Sequence, residues 1–359
     1  MRTKTVLMLL SIAALVLFAG SAFAITGACV NCHTMHNSQN GSSMAYNGST
    51  TPNGVLLRAA SCGGCHADAT VNGSNSTMDG TTLATIPQVD ASINYLAGGS
   101  FNWVESGTAD NRGHNVADLG IAKDATLTAD PPGFDSANTP VGTEWATNQL
   151  TCAGVYGCHG DHGQSGEFAA VKGAHHSNVG GNLTTADTVG NSYRFLKGIK
   201  GGEDADWEAT TSDTDHNVYY GAARTTTNND PTDTISSLCA QCHGKFHTAS
   251  DIVSVANVMS SPWVRHPTDI DMRALPGTSE YAAYVYSVQA PAALSTLPAT
   301  LSASSYSSEA IVTCVSCHRA HGSENADLLR WDYTGMTAGT TGAAAGTGCF
   351  RCHTTKDGV

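Results

Sequence analysis

Cys29-Val-Asn-Cys32-His33-Thr-Met-His36 and Cys314-Val-Ser-Cys317-His318-Arg-Ala-His321 repeat one pattern: two cysteines three apart, a histidine directly after the second, and another histidine three further on. The five-residue heart of that pattern recurs at Cys62/Cys65/His66, Cys239/Cys242/His243 and Cys349/Cys352/His353. A sixth copy, Cys152/Cys158/His159, has three extra residues between its cysteines. Together the six copies use all 12 cysteines of the 359-residue chain.

Two thiols at this spacing add across the two vinyl groups of one haem, and the adjacent imidazole reaches the iron from the same side. The chain therefore reads as a c-type cytochrome with six covalently attached haems, and His33, His66, His159, His243, His318 and His353 are the proximal iron ligands. A disulfide scaffold accounts for an even cysteine count but leaves the histidines unexplained. Paired structural zinc knuckles do not require histidine after every second cysteine. In the long copy, Gly154 and Gly157 are expected to let the loop bulge while both thioethers form; a disulfide there is the alternative.

The start of the chain agrees with haem attachment outside the cytoplasm. Arg2 and Lys4 precede an apolar run from Val6 to Phe18, and Ala22-Phe23-Ala24 offers a small-x-small cleavage site. Residues 1–24 are thus expected to be a removable signal peptide, and 25–359 a single six-haem domain. The run is short for a membrane span. A lipid anchor would need Cys29, which is committed to haem. Cleavage would remove two of the 17 basic residues and none of the 30 acidic ones. So acidic a chain is an unsuitable partner for nucleic acid or an anionic membrane and suits cationic partners or metal ions.

Only 13% of residues are charged and 7% aromatic, and 38 are glycine. Such a composition ordinarily folds weakly, but six porphyrins supply the apolar surface it lacks. The expected fold is therefore mostly irregular coil with few short helices and minimal strand, wrapped around a continuous haem chain. Successive proximal histidines are 33, 93, 84, 75 and 35 residues apart, so the terminal motifs are closely paired and the middle intervals carry long inserts. Asn40-Gly41, Asn47-Gly48, Asn53-Gly54 and Asn72-Gly73 are turn signals. Helices are expected at Asp251–Met259 and Ser279–Val288, and a short strand at Ser192–Leu196. The acids Glu203, Asp204, Asp206, Glu208, Asp213 and Asp215 form either a solvated loop or a cation site. Met35, Met44, Met78, Met259, Met272 and Met336 are read as packing residues.

Nine histidines remain after the proximal six: His36, His114, His162, His175, His176, His216, His247, His266 and His321. That suffices for a second axial histidine on every iron, which closes the metal to substrates and favours electron transfer. His36, His162 and His321 follow a proximal histidine by three residues and His247 by four. On a helical turn such residues project from one side, so the second must serve a different haem. His36, His247, His321, His114 and His266 lead the candidates, and His162, His175, His176 and His216 compete for the remaining places.

The first and fifth motifs, together with Arg112-Gly-His114-Asn, Cys239-Ala-Gln-Cys-His243 and Arg265-His266-Pro267, resemble in order the extracellular hexahaem cytochromes of metal-reducing bacteria, the outer-membrane cytochrome S type. The resemblance spans nearly the whole chain after residue 24, though the long motif at Cys152 and the His175-His176 pair match nothing in it. It implies bis-histidine ligation, a mostly coiled polypeptide, and polymerisation in which His36 ligates the Cys314/Cys317 haem of a neighbouring copy. A ligand given across a head-to-tail contact builds an open filament unless the rotation closes.

Three functions follow. The first is an extracellular electron conduit, fed by outer-membrane or periplasmic cytochromes and discharging to metal oxides or other external acceptors. The second is a monomeric periplasmic or extracellular carrier. The third, a multihaem reductase, needs an open iron, and no Cys-x-x-Cys-Lys motif supplies one. No catalytic residues are expected.

Overall fold

The computed structural model describes residues 28–354 apart from 47, 68–76, 79–80, 83–85, 91–95, 106–108, 128–129, 137–144, 176–179, 226–227, 229, 248–252, 256–257, 260–264, 276–280, 282, 303 and 337–345. The expected signal peptide, the Asn72-Gly73 turn and His176 lie outside these residues.

Each five-residue motif winds into a single turn. The His33 N–H donates to Cys29 O at 2.8 Å, His66 to Cys62 at 3.0 Å, His318 to Cys314 at 3.0 Å and His353 to Cys349 at 3.1 Å. This spacing closes one helical turn and sets both sulfurs and the imidazole on one side of it. Among the described residues the longest helix, Ile235–His243, delivers the fourth motif. Its start is fixed by the Thr234 hydroxyl, which accepts from the Ser237 N–H at 3.2 Å as an N-cap.

The long motif folds otherwise. Cys152 and Cys158 sit on two short parallel strands, Thr151–Ala153 and Gly157–His159, in the register Thr151↔Gly157 and Ala153↔His159. Gly154 turns the chain at φ +91°, and a Cβ on Gly157 would lie 2.4 Å from the Ala153 nitrogen. Both positions therefore require glycine, and the three extra residues are absorbed as a coil of extended backbone.

Among the described residues sheet is confined to two- and three-stranded scraps. Asn40 and Gly41, at φ 52° and 78°, form the two-residue turn that pairs Ser38–Gln39 with Ser42–Ser43, as an Asn-Gly pair favours. Three expected elements are corrected. Val253–Val255 pairs antiparallel with Val258–Met259, where a helix was expected over Asp251–Met259; the β-branched valines favour the pleated surface. From 283 to 288 no helix forms, because buried Tyr284 and Tyr286 alternate with exposed Val285 at a period of two. At 192–196 the strand is replaced by tight turns, with Arg194 at φ 47° and Phe195 at φ 61°.

The apolar clusters sit against the motifs. Tyr193, Leu196, Ile199, Tyr219, Ile235 and Ile311 surround Val315 of the fifth motif, and Cys158 packs on them. Tyr284, Tyr286, Tyr306 and Met272 form a second cluster against which Cys352 rests. A third joins Phe101, Val104 and Leu119 to Ala67, the residue after His66. Met272 is buried packing as expected, whereas Met35 is 86% exposed. The acids of the 203–215 loop divide between two roles. Glu203, Asp204 and Glu208 accept backbone N–H bonds from Arg194, Glu208 and Asn217 at 2.8, 3.0 and 2.9 Å. Asp213 and Asp215 are exposed.

Gly157→Ala should break the coil of the third motif at a cost of about 1–3 kcal/mol, in the range of an overpacked site. Intact mass of the secreted protein should then show a species one haem short, with the other five retained.

Candidate haem-binding site

None of the twelve cysteines is paired in a disulfide, and the sulfurs of neighbouring motifs meet. Cys62 and Cys152, from the second and third motifs, lie with Asp118 so that their ligand atoms fall within 4.8 Å of one another. The Cys62 thiol donates to Glu167 Oε2 at 3.4 Å, and the Cys152 N–H donates to Asp118 Oδ2 at 2.8 Å. Cys239 and Cys314, from the fourth and fifth, share a hydrogen bond. Burial pushes Cys65 up to about 12 with Cys32 adding to it, and Cys317 to about 12 with Cys352 adding. Cys242 is likewise raised to about 12, first by burial and then by Cys158. Motif one therefore neighbours two, two neighbours three, and so on to six: the haem-binding turns follow one another in space in sequence order. A porphyrin-sized group on each turn would adjoin the next, which is the fit a haem chain requires.

The histidines are the stronger observation. Metal–imidazole bonds of about 2 Å put the ring centres of two axial imidazoles about 6 Å apart. Four pairs stand at that separation: His66 and His175 at 6.0 Å, His114 and His243 at 6.2 Å, His159 and His321 at 6.4 Å, and His266 and His353 at 6.2 Å. Each pair joins a proximal histidine to a candidate from elsewhere in the chain. His321, three residues after His318, faces the histidine of a different motif, the direction that helical projection requires.

Backbone carbonyls fix which nitrogen faces the partner. Nδ1 of His66 lies 3.0 Å from Pro87 O, that of His114 2.6 Å from Ala320 O, and that of His159 2.9 Å from Arg194 O. His243, His266 and His318 reach Pro132, Pro267 and Asp327 carbonyls at 2.6, 3.0 and 2.7 Å. A carbonyl can only accept, so Nδ1 carries the proton and Nε2 keeps its lone pair for a metal. Phenylalanines lock the rings: Phe195 stacks on His175 at 5.4 Å, Phe101 on His321 at 4.7 Å and Phe246 on His243 at 6.0 Å. A Cβ on Gly98 would strike the His321 ring at 2.8 Å, so glycine there admits the imidazole. Burial lowers His114 to about 4, with His243 next in effect, and His321 to about 3, with His159 next. Both are neutral bases at pH 7, the form iron binds.

His318 is anchored through Nδ1 but faces no other described histidine, and its ring side is exposed. His36 is exposed beside Met35 and has no partner among the described residues. His33 bridges its backbone to Leu57.

Three candidates depart from the sequence expectation. His162 turns its Nε2 onto the Cys158 carbonyl at 3.1 Å. His216 is buried and stacked on Tyr286 at 3.9 Å, away from every described proximal histidine. His247, a leading candidate by spacing, is corrected outright: Nδ1 lies 2.8 Å from Asp230 and Nε2 2.6 Å from Asp269, so neither nitrogen is left for iron. Its four-residue offset from His243, where His36 and His321 have three, is the one sequence sign of a different role.

A family model for a doubled Cys-x-x-Cys-His motif matches residues 309–358, the fifth and sixth motifs. A curated relative, the C-type cytochrome OmcS of Geobacter sulfurreducens, is 26% identical over 391 aligned positions, covering 89% of this chain and 83% of the relative. Two solved structures are also similar, each at 22% identity. One is the outer membrane cytochrome S filament of Geobacter sulfurreducens, at a TM-score of 0.39 over 88% of this chain and 86% of that one. The other, a cryo-EM structure of OmcS nanowires from the same organism, has a TM-score of 0.43 over 92% of each. The doubled motif and the curated relative support haems bound covalently on these turns, the chemistry of a c-type cytochrome. Within that class it is similar to OmcS.

Two outcomes follow. His321→Ala removes the imidazole facing His159, and the reduced holoprotein should then bind carbon monoxide at one haem more than wild type, seen as a shifted Soret band. The second concerns His247. Burial pulls its pKa down, but the bonds to Asp230 and Asp269 outweigh this and raise it to about 9. A group raised in the folded state stabilises fully below its unfolded value, about 6.5, and that contribution is lost as pH climbs through the folded value. Melting temperature should therefore fall between about pH 7 and 10, and His247→Gln should remove that part of the fall.

Proposed function

We propose that the chain is an extracellular electron-transfer protein whose copies join head to tail into a conducting filament. Residues 25–359 act as one six-haem domain once 1–24 are removed. The observation that carries this reading is the set of four facing histidine pairs together with one anchored histidine that lacks a facing partner and one exposed histidine that lacks any. Bound haem supplies a one-electron iron couple.

The chain does the positioning. Cys62/Cys65 with His66 and His175 hold the second haem, and Cys152/Cys158 with His159 and His321 the third. Cys239/Cys242 with His243 and His114 hold the fourth, and Cys349/Cys352 with His353 and His266 the sixth. Cys29/Cys32 with His33 hold the first. The fifth, on Cys314/Cys317 and His318, takes His36 from another copy. With two imidazoles on the second to sixth irons, those irons are closed to substrate and only electrons pass, which separates this reading from a reductase. Because neighbouring motifs adjoin in order, the path runs from end to end of the chain.

OmcS is described as forming filaments and nanowires, and the same assembly is assigned here through His36. Around that residue Met35 is 86%, Val30 50%, Val55 47% and Leu56 43% exposed, an apolar surface suited to covering by a second copy. Donors would be other cytochromes and acceptors metal oxides, to which an acidic surface offers carboxylates.

His36→Ala decides between filament and monomeric carrier. In the filament the variant should sediment as monomers and, reduced, bind carbon monoxide at one haem more per chain than wild type. If wild type and variant sediment alike as monomers and bind it equally, the intersubunit bond is excluded.

A further inference from the structure

His247 belongs to a buried charge cluster that the axial ligands do not use. Its Nε2 lies 2.6 Å from Asp269 Oδ2, and Asp269 is fully buried. Its Nδ1 lies 2.8 Å from Asp230, whose side chain is 69% exposed. Arg224, also fully buried, lies 3.7 Å from Asp269 and donates to Thr268 O at 3.0 Å and to the His247 carbonyl at 2.8 Å. Asp269 Oδ1 is buried with no hydrogen-bond partner. Asp269 is held at φ +56°, its N–H donating to Val312 O at 2.7 Å and its carbonyl accepting from Arg224 N–H at 2.8 Å. The carboxylate is thus locked in place by both neighbouring segments.

The cluster is tied to the fifth motif. The Asp269 N–H donates to Val312 O at 2.7 Å and Ile270 pairs with Val312, two residues before Cys314. Asp269 and His247 also lie within electrostatic reach of the Cys314 sulfur. Exposed carboxylate, imidazole and buried carboxylate thus lead in turn to the segment that carries the haem-binding cysteine.

We propose that Asp230, His247 and Asp269 form a proton relay that links reduction of the haem on Cys314/Cys317 to uptake of one proton from solvent. The balance is simple. One electron reaches the iron from a reduced donor, taking it from ferric to ferrous and removing one positive charge. One proton from water passes by way of Asp230 to His247 Nδ1, turning imidazole to imidazolium and restoring that charge. Throughout, Nε2 keeps its proton and donates it to Asp269. Protonated, the two cations Arg224 and His247 balance the two carboxylates; deprotonated, the cluster carries one negative charge, which suits a ferric neighbour. Asp230, Asp269 and Arg224 are the charged groups facing His247, with Cys314 beyond them. The carboxylates hold its proton up to about 9 against the pull of burial, and a ferric centre close by weakens that hold where a ferrous one does not.

The relay rests on haem attachment at Cys314/Cys317 but not on filament formation, so its failure would leave the proposed function standing. The test is spectroelectrochemical titration of the haem-loaded protein from pH 5 to 10, for wild type, His247→Gln and Asp230→Asn. Asp230 lies at the surface, so that variant reports even if the buried substitution impairs folding. In wild type one haem's midpoint potential should fall with rising pH and level off in alkali, where the imidazole stays neutral in both iron states. In Asp230→Asn the falling segment should move to lower pH, and in His247→Gln it should vanish. A pH dependence identical in wild type and variants, or none in wild type, overturns the relay.

Discussion

The structure depends on one covalent constraint: two cysteines and a histidine wound into a single turn, so that thioether bonds and an axial bond meet on one porphyrin. A chain with 7% aromatic residues and 38 glycines has little to bury on its own. Tying a large rigid apolar group to it six times replaces the core that its side chains do not supply. The remaining apolar clusters behave accordingly, gathering beside motifs at Val315, Cys352 and Ala67 rather than forming a separate centre. On the proposed ligation, metal bonds cross-link the coil and regular secondary structure becomes unnecessary. His321 to the motif of His159, and His114 to that of His243, each span far more sequence than a hairpin does.

The proposed ligation from a distance would also order the motifs. Each pair ties one motif to a segment remote in sequence, and the sulfurs of successive motifs touch or act on each other. Backbone carbonyls set the tautomer at six histidines without any side-chain acceptor. An amide carbonyl neither titrates nor bears full charge, so it fixes the ring without adding a pH-sensitive group beside iron. Where carboxylates do surround an imidazole, at His247, the residue leaves the ligand set and takes up a charged role instead.

Much of this was legible in the residues. The cysteine spacing announces the cofactor and its number, and the composition announces coil. Counting histidines against irons shows that a second imidazole is available for every haem, with His114, His266 and His321 among the candidates. The rest was hidden for physical reasons. His36, His162 and His321 share the same local offset, and only the surroundings separate an exposed ring, one bonded to its own backbone and one facing a distant motif. Nothing near His247 in sequence announces Asp269, 22 residues away. Helical periodicity misleads at 251–259 and 279–288, where valines and alternating tyrosines choose extended backbone. Ile235–His243 was missed because its apolar stripe is thin and its stability comes from the Thr234 cap and the motif itself.

The central claim is that distant histidines close the second, third, fourth and sixth irons, and density from cryo-electron microscopy of the haem-loaded secreted protein tests it most directly. The account predicts six irons in sequence order, with imidazole density joining His66 to His175, His159 to His321, His243 to His114 and His353 to His266 through a metal, and His247 lying off every iron between two carboxylates. An iron bound by His247, or proximal histidines whose opposite face is water or methionine, would contradict it.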